Sequence, residues 1–185
     1  MKPGGRILAT NHGQFLDLRS GRTTRRALTS GATTELAFRP DGKYLAAGDE
    51  SGQVTVWDGD ADEPLGIIPA SPVRDGTPRR VSSLAFSPNG RTLAAASDDG
   101  TLRLWDTESS RPMGSALPTP GTAILALSFS PDNKTLYAAG EHVLLQEYNI
   151  TTSQATTLVC DRAGAGMTPN EWRTHIRGVP YQRTC

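Results

Sequence analysis

One segment occurs three times in this chain, and none of the three copies needs a gap. The copies are residues 36–58, 84–106 and 127–149, and their phenylalanines are spaced by 48 and 43 residues. A single unit of such a repeat cannot bury its apolar surface alone, so neighbouring units must stack on one another. Few folds meet that requirement, and the period of the repeat selects among them.

Each copy has the pattern of short antiparallel strands. A Leu-Ala-Phe or Leu-Ser-Phe run meets Pro-Asp-Gly, Pro-Asn-Gly or Pro-Asp-Asn, where proline presets the turn and Gly or Asn accepts a positive φ. Two further apolar runs follow, and weaker outer strands are predicted at 63–70, 111–117 and 154–160. Four short strands per unit is typical of a propeller blade. Residues 6–19 match the second half of the unit, and we expect their loop to be two residues shorter.

The composition excludes several classes of protein. With 19 basic and 19 acidic residues the formal charge is zero, which argues against electrostatic binding of nucleic acid or of an anionic membrane. No apolar run approaches the roughly 18 residues of a membrane span, so we expect a soluble, cytoplasmic protein. The 19 glycines and 13 prolines indicate frequent turns and exclude long helices and coiled coils.

The repeat resembles the WD40 family in its motifs and in its spacing. Trp57-Asp58, Trp105-Asp106 and the run 97–106 carry the resemblance, which covers most of residues 6–160. It implies an all-β fold, an incomplete WD40-type β-propeller of about three and three-quarter four-stranded blades with a short C-terminal helical tail. The blades implied within the propeller segment 1–160 are 6–30, 33–70, 81–119 and 124–160.

The sequence departs from the family pattern at two features. The Gly-His pair that usually begins a repeat is absent. The aspartate of the family's hydrogen-bond network is kept as Asp99, whereas Ser51 and His142 occupy the matching positions. We therefore expect stability to come mainly from apolar packing between blades. Glu147 stands where Val56 and Leu104 stand, which predicts that the last blade is the least regular.

The tail, residues 161–185, has a different character. Residues 161–166 read as a linker, and Thr168 with Glu171 forms a capping box before a short helix predicted at 171–177. Cys160 and Cys185 either form a disulfide, in an oxidising compartment, or remain thiols in a reducing one.

Residue patterns for chemistry are weak throughout the chain. The acidic run 58–63 lacks the glycine and the bidentate glutamate of an EF-hand loop, and Gly164-Ala165-Gly166 lacks the third glycine of a dinucleotide site. His12, His142 and His175 have no metal-ligand spacing. We predict no catalytic residues, no metal and no cofactor, and therefore not an enzyme.

Two basic clusters are candidates for contact with a partner. One comprises Arg22, Arg25 and Arg26, and the other, which we favour, comprises Arg74, Arg79 and Arg80 in the longest connection between units. A solvated surface is the alternative interpretation of both clusters. An acidic protein surface is the kind of partner that such clusters attract.

The resemblance implies a non-catalytic protein–protein interaction scaffold or sensor, part of a larger bacterial signalling protein. One alternative is a propeller hydrolase whose channel site is completed by missing blades, and another is a truncated product without independent function. An open stack leaves two blade faces bare, so we expect association with missing blades or a homodimer.

Overall fold

The computed structural model describes residues 1–70, 77, 79–117, 119, 123–142, 144–151 and 168–175. The chain divides into two compact units, Met1–Tyr148 and Asn149–Cys185. The first unit contains four antiparallel sheets, and the second contains a short helix, α1 (Pro169–His175). This nearly all-β structure confirms the predicted fold class.

The four sheets follow one another along the chain, and we name them blades A to D. Blade A contains β1 (Ile7–Ala9), β2 (Gln14–Asp17) and β3 (Thr23–Arg25). Blade B contains β4 (Thr33–Phe38), β5 (Tyr44–Asp49), β6 (Gln53–Asp58) and β7 (Pro64–Pro69). Blade C contains β8 (Val81–Phe86), β9 (Thr92–Ser97), β10 (Leu102–Asp106) and β11 (Arg111–Pro112), and blade D contains β12 (Ile124–Phe129), β13 (Thr135–Gly140) and β14 (Gln146–Asn149). Strand order within every sheet equals chain order, as in propeller blades.

The predicted turn between the first and second strands forms in all three copies. Gly42, Gly90 and Asn133 adopt φ values of 71°, 70° and 61° at the same position of that turn. Asparagine tolerates this conformation better than most side chains, so it replaces glycine in blade D. The preceding side chain, that of Asp41, Asn89 or Asp132, accepts a hydrogen bond from the backbone N–H of the residue that follows the positive-φ residue.

The blades pack through two rows of side chains that the sheet register defines. One row of blade B contains small residues from three neighbouring strands, Ala37, Ala46 and Val56. They contact a row of large residues in blade C, formed by Phe86, Leu93 and Trp105. Because side chains alternate between sheet faces, a single strand such as β5 contributes Ala46 to one interface and Leu45 to the other.

The interface between blades A and B uses the same row positions, with Phe15 of blade A in the place of Val56 of blade B. Phe38, Leu45 and Trp57 form the large row of blade B and pack with Ala9 and Phe15 of blade A. The first strands of blades B, C and D also lie side by side, β4 next to β8 and β8 next to β12. Small residues on the second strands therefore allow the close approach of blades; those fully buried are Ala46, Ala47, Ala94, Ala95 and Ala96.

The prediction of a loop two residues shorter in the partial copy was wrong. The amide of Asp17 donates to the carbonyl of Arg22, as the amide of Asp58 donates to that of Glu63. Asp17 is thus the counterpart of Asp58. Strand β2, which corresponds to the third strand of a full blade, therefore ends two residues earlier than the sequence match indicated. Hydrogen bonds from the Arg6 guanidinium and from backbone amides of this turn lower the pKa of Asp17.

The outer strands and the tail helix also differ from their predicted bounds. Strand β11 has only two residues, and Leu117 joins the sheet through an isolated bridge to Leu102. The third outer strand, predicted at 154–160, lies outside the described residues. Helix α1 begins at Pro169, two residues before the predicted start, because the Thr168 hydroxyl accepts the Glu171 amide N–H while the Glu171 carboxylate accepts the Thr168 amide.

The close contact of blades B and C predicts a larger effect for one glycine substitution than for another. A Cβ at Gly48 would lie 2.5 Å from the Val81 side chain of blade C, whereas a Cβ at Gly66 would meet nothing within 4 Å. We expect Gly48→Ala to lower the free energy of unfolding by about 1–3 kcal/mol, through overpacking. Gly66→Ala should change it by less than about 1 kcal/mol. Urea unfolding of both variants tests this, and equal losses would contradict the described interface.

Candidate functional site

The connections between blades share one edge of the sheets with the turns between second and third strands. Backbone hydrogen bonds join the two kinds of segment, from the Glu50 amide to the Ala32 carbonyl and from the Asp98 amide to the Arg80 carbonyl. We call this the connection edge; it comprises residues 10–13, 26–32, 50–52, 79–80 and 98–100. Loops held on a rigid scaffold are the usual place of binding residues.

Arg79 is held against the turn of its own blade. Its Nε lies 3.9 Å from Oδ2 of Asp99, and its side chain is 36% exposed. Oδ1 of Asp99 accepts the backbone N–H of Thr101, which fixes the carboxylate. The pair orients Arg79 and offsets part of its charge, so Arg79 has less attraction left for an acidic partner.

Arg80 lies at the boundary between blades B and C. Its side chain is exposed, and its carbonyl accepts the Asp98 amide at 3.0 Å. It is close enough to affect Glu35 of blade B, a half-buried residue on the innermost strand. Burial raises the pKa of the Glu35 carboxyl, and the attraction of Arg80 opposes that increase. Arg80 is therefore an exposed cation on a fixed backbone, next to an acid that is costly to ionise.

The second basic cluster borders a cleft between blades A and B. The cleft has a volume of about 560 Å³, and its lining includes His12, Arg25 and Arg26. Arg26 forms an ion pair with Asp62 of blade B, so its charge is already paired within the protein. Arg25 and His12 are exposed. This cleft was not predicted as a site, although the arginine cluster beside it was noted in the sequence.

A third surface is the groove along the first strands. Its volume is about 430 Å³, and it is lined by the Leu-Ala-Phe segments of β4 and β8, the Leu-Ser-Phe segment of β12, and Pro40 and Pro88. First strands are the innermost strands of the blades in a closed propeller ring. Apart from Ser128 the lining side chains are of apolar types, and none of them is titratable.

The repeated four-stranded blades agree with a match to a known family. A family model described as WD domain, G-beta repeat matches residues 24–58 and 71–106. These two segments are WD40 repeats. The first match begins in the outer strand of blade A and ends with the third strand of blade B, so one WD40 sequence unit links two blades. No curated protein matches the sequence significantly.

WD40 repeats are in general protein–protein interaction modules, and WD40 domains are generally non-catalytic scaffolds. Within the described residues, no group of three or more His, Cys, Asp or Glu is placed to bind a metal ion. In that same part of the chain no helix has the length and hydropathy needed to cross a membrane.

The structure accounts for the remaining predicted features as follows. The acidic run 58–63 forms a turn in which Asp58 Oδ1 accepts the amides of Asp62 and Glu63. Arg22 and His142 are exposed. Arg74, Cys160, Cys185 and residues 164–166 lie outside the described residues. Glu35 was missed because its coupling to Arg80 crosses a blade boundary and leaves no local pattern.

The raised pKa of Glu35 predicts a pH-dependent stability. The folded state holds the proton more tightly than the unfolded state, so stability should fall as the pH rises from the ordinary value of 4.5 through the raised pKa. Glu35→Gln should be more stable than the natural chain at pH 7 and equal to it below pH 4.5. Arg80→Gln should lose more stability on the same rise of pH, because the opposing attraction is gone. Urea unfolding between about pH 4 and 7 measures both; parallel pH profiles for all three proteins would contradict the coupling.

Proposed function

We propose that this WD40 protein is a scaffold that binds an acidic segment of another protein at the connection edge between blades B and C. Arg74, Arg79 and Arg80 form the candidate contact site. The observation that carries the proposal is Arg80, an exposed guanidinium on a backbone fixed by the Asp98 hydrogen bond. Because its backbone is already fixed, binding costs only the conformational entropy of the Arg80 side chain, which favours affinity.

The charges next to Arg79 and Arg80 favour one alignment of an acidic partner along the connection edge. Asp99 faces Arg79, and Glu35 is near Arg80, so acidic and basic groups are adjacent at this boundary. A partner carboxylate would be attracted to Arg80 and repelled if shifted towards Asp99. Complementary charges of this kind mainly determine specificity and association rate.

The broader role that we propose is an interaction arm of a bacterial signalling protein that functions in the cytoplasm. In this proposal residues 1–160 form the propeller segment, and residues 161–185 form its tail. The support is the WD40 architecture itself, in which binding edges are presented by stacked sheets.

A labelled peptide of twelve glutamates provides a direct test of the binding site. We expect Arg80→Glu to weaken its binding about tenfold, as measured by fluorescence anisotropy at low ionic strength. Arg111→Glu is the matched control, because Arg111 is also exposed but lies on the outer strand β11. The control should change the affinity by less than about twofold. Equal losses in both variants, or no binding to the natural chain, would contradict the proposed site.

A further inference from the structure

The two ends of the blade stack depart from the packing rule in opposite directions. At the interface of blades B and C, a small row of one blade meets a large row of the next. Blade D ends the stack with Ser128, Tyr137 and Glu147 at the positions of the small row. Tyrosine replaces alanine and glutamate replaces valine or leucine, so this face is bulkier and more polar than the corresponding faces of blades B and C.

Blade A presents a reduced version of the large row. Leu8 and Leu16 are paired across β1 and β2 at the positions of Leu45 and Trp57. Leucine in place of tryptophan leaves space on this face, and the three described strands of blade A include none that corresponds to the phenylalanine-bearing first strand. The side-chain volume that is missing from the face of blade A is thus complemented by the extra volume of Tyr137 on the face of blade D.

The charges of the two end blades are also complementary. Residues 1–26 contain six basic residues and one acidic residue, whereas residues 124–149 contain three acidic residues and one basic residue. Arg19, Arg22 and Arg25 are exposed and form no salt bridge with any described residue. Glu147 is an exposed acid within the packing row of blade D. A buried acid in an apolar interface is costly unless a cation accompanies it, and blade A supplies cations.

Both faces also expose apolar surface that association would cover. Leu8 of blade A is 38% exposed, and Leu145 of blade D is 59% exposed. The residue equivalent to Leu8 inside the stack is Leu45, and the residues equivalent to Leu145 are Val54 and Leu102; all three are fully buried. Exposed apolar surface of this kind on a repeat face is normally covered by another repeat.

We propose that a second copy of this chain covers these faces, with blade D of each copy packed against blade A of the other. Two such contacts related by a twofold axis close a ring in which the outer faces of blades A and D of both copies are covered. Closure distinguishes this arrangement from head-to-tail growth into filaments. The proposal concerns the ends of the stack and is independent of the peptide site at the connection edge.

Light scattering on the full chain tests the association. The natural chain should have about twice the monomer mass of 19.7 kDa at micromolar concentration. Leu8→Glu introduces an acid opposite the acidic blade D, and Leu145→Arg introduces a cation opposite the basic blade A. Each variant alone should be monomeric, with a dimer dissociation constant at least tenfold higher than that of the natural chain.

Mixing the two variants identifies the pairing of faces. The mixed dimer has one natural contact and one contact between the introduced Glu and Arg, so the dimer mass should return. Ile67→Glu and Ile67→Arg serve as matched controls, because Ile67 is 64% exposed on the outer strand β7. Both controls should remain dimeric, and circular dichroism verifies the fold of every variant. A monomeric natural chain, masses above a dimer, dimeric single variants or a monomeric mixture would each overturn the proposal.

Discussion

The structure depends on the contact between a row of small side chains on one blade and a row of large side chains on the next. Ala46 and Val56 of blade B leave the space that Leu93 and Trp105 of blade C fill. Full burial of a side chain such as Leu93 contributes about 1.5–3 kcal/mol, so each interface is a major source of stability. Since β5 and β9 contribute to two interfaces at once, neither blade has a separate core.

This packing explains why the candidate binding features lie at the edges of the stack. The faces of the inner blades are occupied by neighbouring blades, which leaves the connection edge and the groove along the first strands for partners. The Trp57 indole N–H also donates to the carbonyl of Leu28, 2.9 Å away, so a connection is anchored to the core of the next blade. Charged side chains such as Arg80 therefore project from a backbone that packing keeps in place.

Much of this architecture was predictable from the sequence, and the exceptions have physical causes. The ungapped copies and their Pro-Asp-Gly turns specify strand order and register, because proline and a positive-φ residue locate each reversal. The partial copy was misaligned at Asp17, since a short segment without tryptophan offers two registers of equal apolar pattern. The Glu35–Arg80 coupling was unpredictable, because it joins residues on different blades through space.

Native-state hydrogen exchange of Leu93→Ala tests the shared core most directly. Leu93 belongs to blade C but packs against blade B, and its truncation should cost about 2–5 kcal/mol. If the blades share a core, amides of β5 in blade B and of β9 in blade C should exchange faster by the same factor. Acceleration confined to β8–β11 would show that the blades are stabilised separately and would contradict the account.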